Sequence, residues 1–258
     1  MKPLTGLIEG KRGLVVGIAN EHSIASGCAR AFSAGGGRLA VTHLNDKARP
    51  HVAPVAEAVG AEMLMPLDVR DDAQMDALFE RIEDAWGGLD FVLHSIAYCP
   101  LEDLHGSVSN CSREGFAEAM DISCHSFIRM ARRSVPLMKD GGCLLTVSYY
   151  GAEKVVDHYN IMGPVKAALE STVRYLAAEL GARDIRVNAL SPGPLQTRAA
   201  SGIAFFDKLI DDARDRAPAR RLVTIEDVGN MAVGLVSDAA RNVTGNISYV
   251  DAGYHVIA

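Results

Sequence analysis

The sequence predicts an α/β protein in which one parallel sheet carries helices on both faces. Its 258 residues suit a single domain of ordinary size. Short apolar runs alternate with helical segments along the whole chain, the pattern of a doubly wound sheet joined by right-handed crossovers. No low-complexity stretch, proline-rich linker or internal repeat divides it. We therefore expect one domain over residues 1–258.

Each strand is predicted from a short apolar run, and each helix from its periodicity and its start or stop signals. Three glycines at 35–37 end the first helix, and two prolines weaken the second. The predicted strands lie at 13–19, 38–43, 62–66, 90–94, 143–147, 185–190 and 247–250. The predicted helices lie at about 24–34, 46–59, 72–86, 113–138, 166–180, 204–214 and 225–237. These elements predict a seven-stranded, Rossmann-type sheet.

Composition argues against several classes of function. The net charge of -6 disfavours a nucleic-acid partner, because neutralising phosphates requires clustered lysine and arginine. The five cysteines lack CxxC spacing and the eight histidines are scattered, which favours reduced thiols and no metal site. No apolar stretch is long enough to span a bilayer, and the first residues lack the apolar core of a signal peptide. We expect a cytoplasmic protein without membrane insertion.

The turn after the first predicted strand is a candidate cofactor loop. In doubly wound sheets, ligands bind beyond the carboxyl ends of the strands. Small residues in this turn would let the backbone approach a pyrophosphate, and the N-terminus of the helix that starts at Ile24 would favour its charge. Ser23 could cap this helix or contact phosphate. The spacing is not GxGxxG, so an ordinary strand–helix turn stays an alternative. The small residues are Gly17, Ala19, Ala25 and Gly27.

Residues 148–166 follow the fifth strand and offer two candidate Tyr–Lys pairs. Tyr150 and Lys154 form one pair, and Tyr159 and Lys166 the other. Seven steps at about 100° each would place the second pair on one helix face, about 10 Å apart along the axis, with room for a cofactor ribose between them. Pro164 belongs in a first helical turn, so it leaves open whether Tyr159 is helical. A surface lysine and a packed aromatic remain alternatives.

Motifs spread over nearly the whole chain follow the same order as those of a known enzyme family. They are Gly17-Ile18-Ala19-Asn20, Ser23-Ile24-Ala25, Leu67-Asp68-Val69, His94-Ser95-Ile96-Ala97, Asp121-Ile122-Ser123, Ser148-Tyr149, Tyr159-Asn160, Lys166, Ile185-Arg186-Val187-Asn188, Ser191-Pro192-Gly193-Pro194 and Thr224-Ile225-Glu226-Asp227. This collinear set resembles the FabI-type enoyl-acyl-carrier-protein reductases, a divergent branch of the short-chain dehydrogenase/reductase superfamily.

The resemblance implies where a dinucleotide would bind. Asp68 would accept a hydrogen bond from the adenine amine, and Lys166 would bind the nicotinamide ribose. Without the resemblance, Asp68 would be interpreted as a loop or N-cap aspartate. Ile122 and Ser123 are expected mainly to pack inside their helix. The cofactor residues implied by the resemblance are Gly17, Ala19, Ser23, Ile24, Leu67, Asp68, Val69, Ser95, Ile96, Ala97, Lys166, Pro194, Leu195 and Thr197.

The family spacing also favours one of the two Tyr–Lys pairs. Ordinary members of the superfamily carry Tyr-x-x-x-Lys, which Tyr150 and Lys154 match, but Lys154 lies too close to the strand. Lys166 instead lies at the superfamily's usual distance before the sixth strand. The implied catalytic residues are Tyr149, Tyr159 and Lys166. The implied substrate contacts are Ala97, Tyr98, Tyr149, Tyr159, Ala199 and Ile203.

The implied reaction is the reduction of a trans-2-enoyl thioester on acyl carrier protein, in fatty-acid elongation. Hydride would add to the β carbon, and Tyr159 would stabilise the resulting enolate. At the end of the second strand, residues 42–45 offer neither the acid typical of NAD enzymes nor the arginine of NADP enzymes. The family often has an aromatic and a polar residue where His43 and Leu44 stand. Because no basic pair is adjacent, we expect NADH.

Two further expectations come from the family. Residues 195–215 would cover the substrate, with a plain packing helix as the alternative, and the chain would form a homotetramer. A ketone or β-ketoacyl reductase that uses Tyr150 and Lys154 is a competing hypothesis. A nucleotide-binding regulatory protein without catalysis is another.

Overall fold

Seven parallel strands form the centre of the structure. This computed structural model describes residues 5–195 and 206–257. The strands are β1 (Arg12–Val16), β2 (Arg38–His43), β3 (Met63–Pro66), β4 (Phe91–His94), β5 (Gly142–Val147), β6 (Ile185–Pro192) and β7 (Ile247–Val250). They lie in the order β3-β2-β1-β4-β5-β6-β7, and every neighbouring pair is parallel. The predicted doubly wound sheet is confirmed.

Helices cover both faces of this sheet. They are α1 (Ile24–Ala34), α2 (Arg49–Ala58), α3 (Asp72–Trp86), α4 (Leu101–His105), α5 (Arg113–Met120), α6 (Ser126–Ser134), α7 (Met162–Leu180), α8 (Phe206–Arg216) and α9 (Ile225–Val236). Neighbouring strand residues belong to different cores, since successive side chains point to opposite faces. Leu144 packs in the core that contains α3, α6 and α7 residues. Leu145 packs in the core that contains α1, α2 and α9 residues. No helix of the described residues is long and apolar enough to cross a membrane.

The strand order reverses between β1 and β4, and this places a crevice at their carboxyl ends. From β1 the chain adds β2 and β3 on one side, and then returns to add β4 on the other. At the end of this pair, Val16 is in register with His94. A reversal of this kind is where doubly wound sheets bind ligands.

Several element boundaries differ from the sequence prediction. The single helix predicted over 113–138 is divided, because a π-helical turn, Asp121–His125, separates α5 from α6. Directly after that turn, the Ser126 hydroxyl donates to the Ile122 carbonyl at 2.7 Å, while the Ser123 hydroxyl of the turn bonds outside the helix. The first strand is shorter than the predicted 13–19 and ends at Val16. The helix α4 was not predicted.

Candidate functional site

Tyr159 lies in the turn that precedes α7 rather than on the helix. The residues on either side of it, His158 and Asn160, have positive φ angles of 64° and 43°. The Asn160 side-chain amide donates to the Leu104 carbonyl at 2.7 Å, which ties this turn to α4. The expectation that helical rotation aligns Tyr159 with Lys166 is therefore wrong, because Tyr159 is not helical.

Two tyrosine rings meet at the carboxyl end of β5. The Tyr149 and Tyr159 centroids are 4.9 Å apart, with the rings inclined at 64°. Tyr159 is only 8% exposed. Burial is the main cause that raises the pKa of each phenol above its ordinary value. Both hydroxyls therefore stay protonated at neutral pH, so either can donate a hydrogen bond.

Lys166 is buried on α7 beside the same strand end. Its Nζ donates to the Val147 carbonyl at 2.7 Å, and the residue is 4% exposed. Burial lowers the pKa of this lysine to about 8, while Cys124 and Glu170 act in the opposite direction. A buried ammonium with donors beyond the one used by Val147 can bind oxygen ligands of a bound molecule.

The alternative pair, Tyr150 and Lys154, is not assembled into a site. The Tyr150 ring packs against Tyr254, with centroids 6.0 Å apart, in a cluster that also contains Ala213 and Ala217. Lys154 is exposed. In the structure, Tyr150 is therefore a packing residue, and Lys154 is a solvent-exposed lysine.

Gly17 lets the end of β1 approach the end of β4. Its φ angle is 106°, and a Cβ atom there would lie 2.0 Å from the Ser95 carbonyl oxygen. The Ser95 amide donates to the Val16 carbonyl at 2.9 Å. Only glycine fits this conformation and this space, so the crevice floor is backbone.

The other small residues of the cofactor loop have different roles from those predicted. Ala25 is fully buried. A Cβ atom on Gly27 would lie 2.3 Å from the Ile225 carbonyl oxygen, so this glycine serves the packing of α1 on α9. Ser23 occupies the N-cap position, but its hydroxyl donates to the Asn20 carbonyl at 2.7 Å instead of capping the helix. Ala25 and Gly27 are therefore packing residues, and their approach to a pyrophosphate stays a prediction.

Asp68 lies after β3 with its carboxylate held by an arginine. Arg70 Nη2 donates to Asp68 Oδ2 at 2.7 Å, and the same guanidinium reaches Glu118 at 3.3 Å. This pairing lowers the pKa of Asp68. Its neighbours Leu67 and Val69 are buried in the apolar core, which leaves only their backbone groups for the predicted cofactor contact.

The residues after β4 are held by the π-helical turn. The Tyr98 amide donates to the Ser123 hydroxyl at 2.9 Å, and that hydroxyl donates to the Tyr98 carbonyl. Ser123 and Ile122 are buried, as expected for packing residues. Ile96 packs against the core, while Ala97 and Tyr98 are exposed. Ala97 and Tyr98 are therefore open to a ligand.

A cavity of about 600 Å³ lies at the edge of the cofactor loop. Glu21, His22 and Arg30 line it from the side of α1, and Pro194 and Leu195 from the end of β6. Three predicted site residues, Thr197, Ala199 and Ile203, lie outside the described residues. Within residues 5–195 and 206–257, no group of three His, Cys, Asp or Glu residues could hold a metal ion.

Comparison with known proteins decides the family. The family model described as enoyl-(acyl carrier protein) reductase matches residues 17–255. This chain belongs to the enoyl-(acyl carrier protein) reductase family. The family predicted from the sequence motifs is thus confirmed.

Members of this reductase family resemble the chain over almost its full length. Enoyl-[acyl-carrier-protein] reductase [NADH] 1 of Rhizobium meliloti is 48% identical, over 100% of this chain and 94% of the relative. The crystal structure of the Aquifex aeolicus enoyl-[acyl-carrier-protein] reductase (NADH) has a TM-score of 0.94 at 47% identity, covering 98% of this chain and 100% of that one. The crystal structure of the Anaplasma phagocytophilum reductase in complex with NAD has a TM-score of 0.95 at 44% identity, covering 100% of this chain and 98% of that one.

Two charged residues of this reductase site were missed by the sequence analysis. Glu170 is buried one helical turn after Lys166, and Arg70 lies two residues after Asp68. The i, i+4 spacing on α7 could have indicated Glu170, because residues four apart share a helix face. The Arg70 pairing had no comparable signal in the sequence.

Proposed function

We propose that this chain catalyses the NADH-dependent reduction of a trans-2-enoyl thioester carried by acyl carrier protein, a step of fatty-acid elongation. The observation that carries this proposal is the group of buried Tyr159, buried Lys166 and half-buried Tyr149 at the carboxyl end of β5. The names of the relatives specify NADH, which agrees with the preference expected from residues 42–45. His43 at this position is buried, and its Nδ1 lies 3.1 Å from the Asn45 carbonyl oxygen.

The described residues fit a dinucleotide. The backbone floor at Gly17, which a Cβ atom would obstruct, lies beside the N-terminus of α1, where anionic phosphate is favoured. Lys166 has donors beyond the one that binds Val147 and would hold the nicotinamide ribose. Asp68, fixed by Arg70, would accept from the adenine amine.

Bound NADH supplies the hydride that adds to the β carbon of the enoyl group. Negative charge then develops on the thioester oxygen, where a preorganised donor gives the largest stabilisation. Tyr159 would donate this hydrogen bond, because its buried phenol stays neutral. The positive charge of Lys166 further favours the anionic oxygen, and Tyr149 orients the thioester beside the Tyr159 ring.

The remaining assignments rest on the family and on the surface of the molecule. The whole chain, 1–258, would be one domain whose segment 195–215 covers the substrate. The family resemblance implies a cytoplasmic homotetramer, and Ile128 on α6, an apolar residue that is 38% exposed, would lie on a contact surface. The strand β7 ends the sheet order and offers a second contact surface.

The decisive experiment is an assay that follows the absorbance of NADH and NADPH separately. Crotonyl and longer trans-2-enoyl thioesters, on coenzyme A and on acyl carrier protein, are the substrates. We expect oxidation of NADH with enoyl thioesters and little reaction with β-ketoacyl thioesters. Activity with β-ketoacyl thioesters alone would support a ketone reductase instead. Binding of NADH without turnover of any thioester would support the regulatory hypothesis.

A further inference from the structure

A buried carboxyl group lies next to the proposed site, and the mechanism above does not use it. Glu170 is 3% exposed on α7, one turn after Lys166, which is 4% exposed. Residues four apart on a helix have Cβ atoms about 5–6 Å apart, so the two charged side chains share the buried face. A buried carboxyl needs a partner or a role, because burial without one is costly.

Glu170 and Lys166 bind two consecutive residues of one strand end. The Ser148 hydroxyl donates to Glu170 Oε1 at 2.6 Å, and Lys166 Nζ donates to the Val147 carbonyl at 2.7 Å. Ser148 is 3% exposed, and its amide also donates to the Leu190 carbonyl of β6 at 2.7 Å. The two hydrogen bonds therefore clamp the end of β5 onto α7. The next residue along the chain is Tyr149, whose ring contacts Tyr159.

We propose that Glu170 is a positioning residue of this site, which holds the end of β5 through Ser148 and favours the charged form of Lys166. The kinetic effects expected below rest on the proposed function, whereas the structural role of Glu170 does not. Because Glu170 fixes the end of β5 and keeps Lys166 protonated, it would affect the reaction without touching the substrate.

Electrostatics support both parts of this role. Burial is the main cause that raises the pKa of Glu170, while Ser148, Arg174 and Lys166 lower it. Glu170 in turn raises the pKa of Lys166, against the larger effect of burial. Cys124 of the π-helical turn and Glu153 after β5 also act on this pair. Lys166 in turn lowers the pKa of His94 of β4, and Glu170 raises the pKa of Tyr159 before α7 and of Tyr249 of β7.

Two variants separate the hydrogen-bonding role of Glu170 from its charge role. Glu170→Gln keeps an oxygen that accepts from Ser148 but removes the charge. We expect the alkaline limb of the kcat/KM profile to move to lower pH by about one unit, the low end of the shift for a nearby opposite charge. Ser148→Ala keeps the charge but removes the hydrogen bond. We expect Ser148→Ala to lower kcat roughly tenfold, because the end of β5 and the adjacent Tyr149 would be misplaced, and to leave the alkaline limb unchanged.

A matched control is available on the same helix. Glu179→Gln makes the same charge change at an exposed position of α7 and should leave the profile unchanged. Circular dichroism and the melting temperature report whether each variant is folded. If Glu170→Gln behaves like Glu179→Gln and Ser148→Ala keeps full kcat, Glu170 is only a packing residue and the proposal is overturned.

A second measurement does not depend on the reaction. The full chain is labelled with ¹³C at lysine Cε, and the Lys166 resonance is identified by its loss in Lys166→Met. We expect its titration midpoint to fall by about one pH unit in Glu170→Gln and to stay in place in Glu179→Gln. A wild-type protein that reduces no enoyl thioester would refute the proposed function. An unchanged midpoint in Glu170→Gln would refute the charge role of Glu170.

Discussion

Residues 150–166 contain two Tyr–Lys pairs, and the structure treats them in opposite ways. Tyr150 packs in an apolar cluster with Tyr254, and Lys154 is exposed. Tyr159 is buried beside Tyr149, and Lys166 is buried with its ammonium bonded to the end of β5. The pair that matches the common Tyr-x-x-x-Lys formula is thus the one without a shared site.

The difference between the pairs lies in what burial does to a charge. An exposed lysine such as Lys154 keeps its hydration, so its charge carries no desolvation free energy in the folded state. Lys166 is desolvated, and its pKa falls to about 8. A buried charge with a perturbed pKa at the end of a strand marks a functional site better than spacing does, because such a group is costly to keep without a use.

Tyrosine substitutions test the comparison with the largest expected effect. Tyr159→Phe removes the proposed donor and should lower kcat roughly 10²- to 10³-fold, the usual loss for one donor to a developing oxyanion. Tyr150→Phe should keep kcat close to wild type. The measurement is steady-state NADH oxidation with an enoyl thioester at saturating cofactor. A large loss in Tyr150→Phe with a harmless Tyr159→Phe would reverse the assignment.

Truncation of Tyr150 tests the other half of the comparison. Tyr150→Ala should lower the free energy of unfolding by about 3 kcal/mol, because it removes a buried ring from its cluster. The folded fraction should retain wild-type kcat. Urea unfolding followed by circular dichroism measures the stability, and Tyr175→Ala, at an exposed position of α7, is the control. Equal stability of the two variants would show that Tyr150 does not pack as described.

The sequence predicted the fold better than it predicted local roles. Strand runs such as 38–43 and helix signals such as those of 72–86 are local, and both ranges are those of β2 and α3. The π-helical turn contains Ser123, whose hydroxyl bonds the distant Tyr98, a contact that a helical pattern does not encode. Gly27 looked like a loop glycine because its contact, Ile225, is far away in sequence.

The site shows the same division between local and distant causes. Spacing to the sixth strand favoured Lys166, and the structure buries it at the strand end. The sequence left open whether Tyr159 is helical, since the left-handed conformation of Asn160 and its bond to Leu104 arise only in the folded chain. Glu170 was missed because its spacing of four from Lys166 indicates a shared helix face but not that this face is buried.

The pH dependence of the reaction compares the two lysines, with a smaller expected effect than the substitutions above. In the proposed mechanism Lys166 must be protonated to hold the ribose and favour the enolate, and its pKa is about 8. Activity should therefore fall as pH rises through about 8, in kcat/KM measured from pH 6 to 10. Lys154→Met should leave this limb in place. Lys166→Arg, which stays charged throughout, should remove the limb even if its activity is lower. A limb that disappears in Lys154→Met would contradict the assignment.

The smallest expected effect separates the two tyrosines that touch each other. Tyr149→Phe keeps the ring that packs 4.9 Å from Tyr159 and removes only the hydroxyl. If Tyr149 orients the thioester through a neutral hydrogen bond, the KM for the enoyl thioester should rise roughly three- to tenfold. The value of kcat should change less than twofold, since uniform binding does not alter the chemical step. Tyr175→Phe is the exposed control. If kcat in Tyr149→Phe falls as far as in Tyr159→Phe, the two phenols share the donor role, and burial alone does not determine which of them acts on the oxygen.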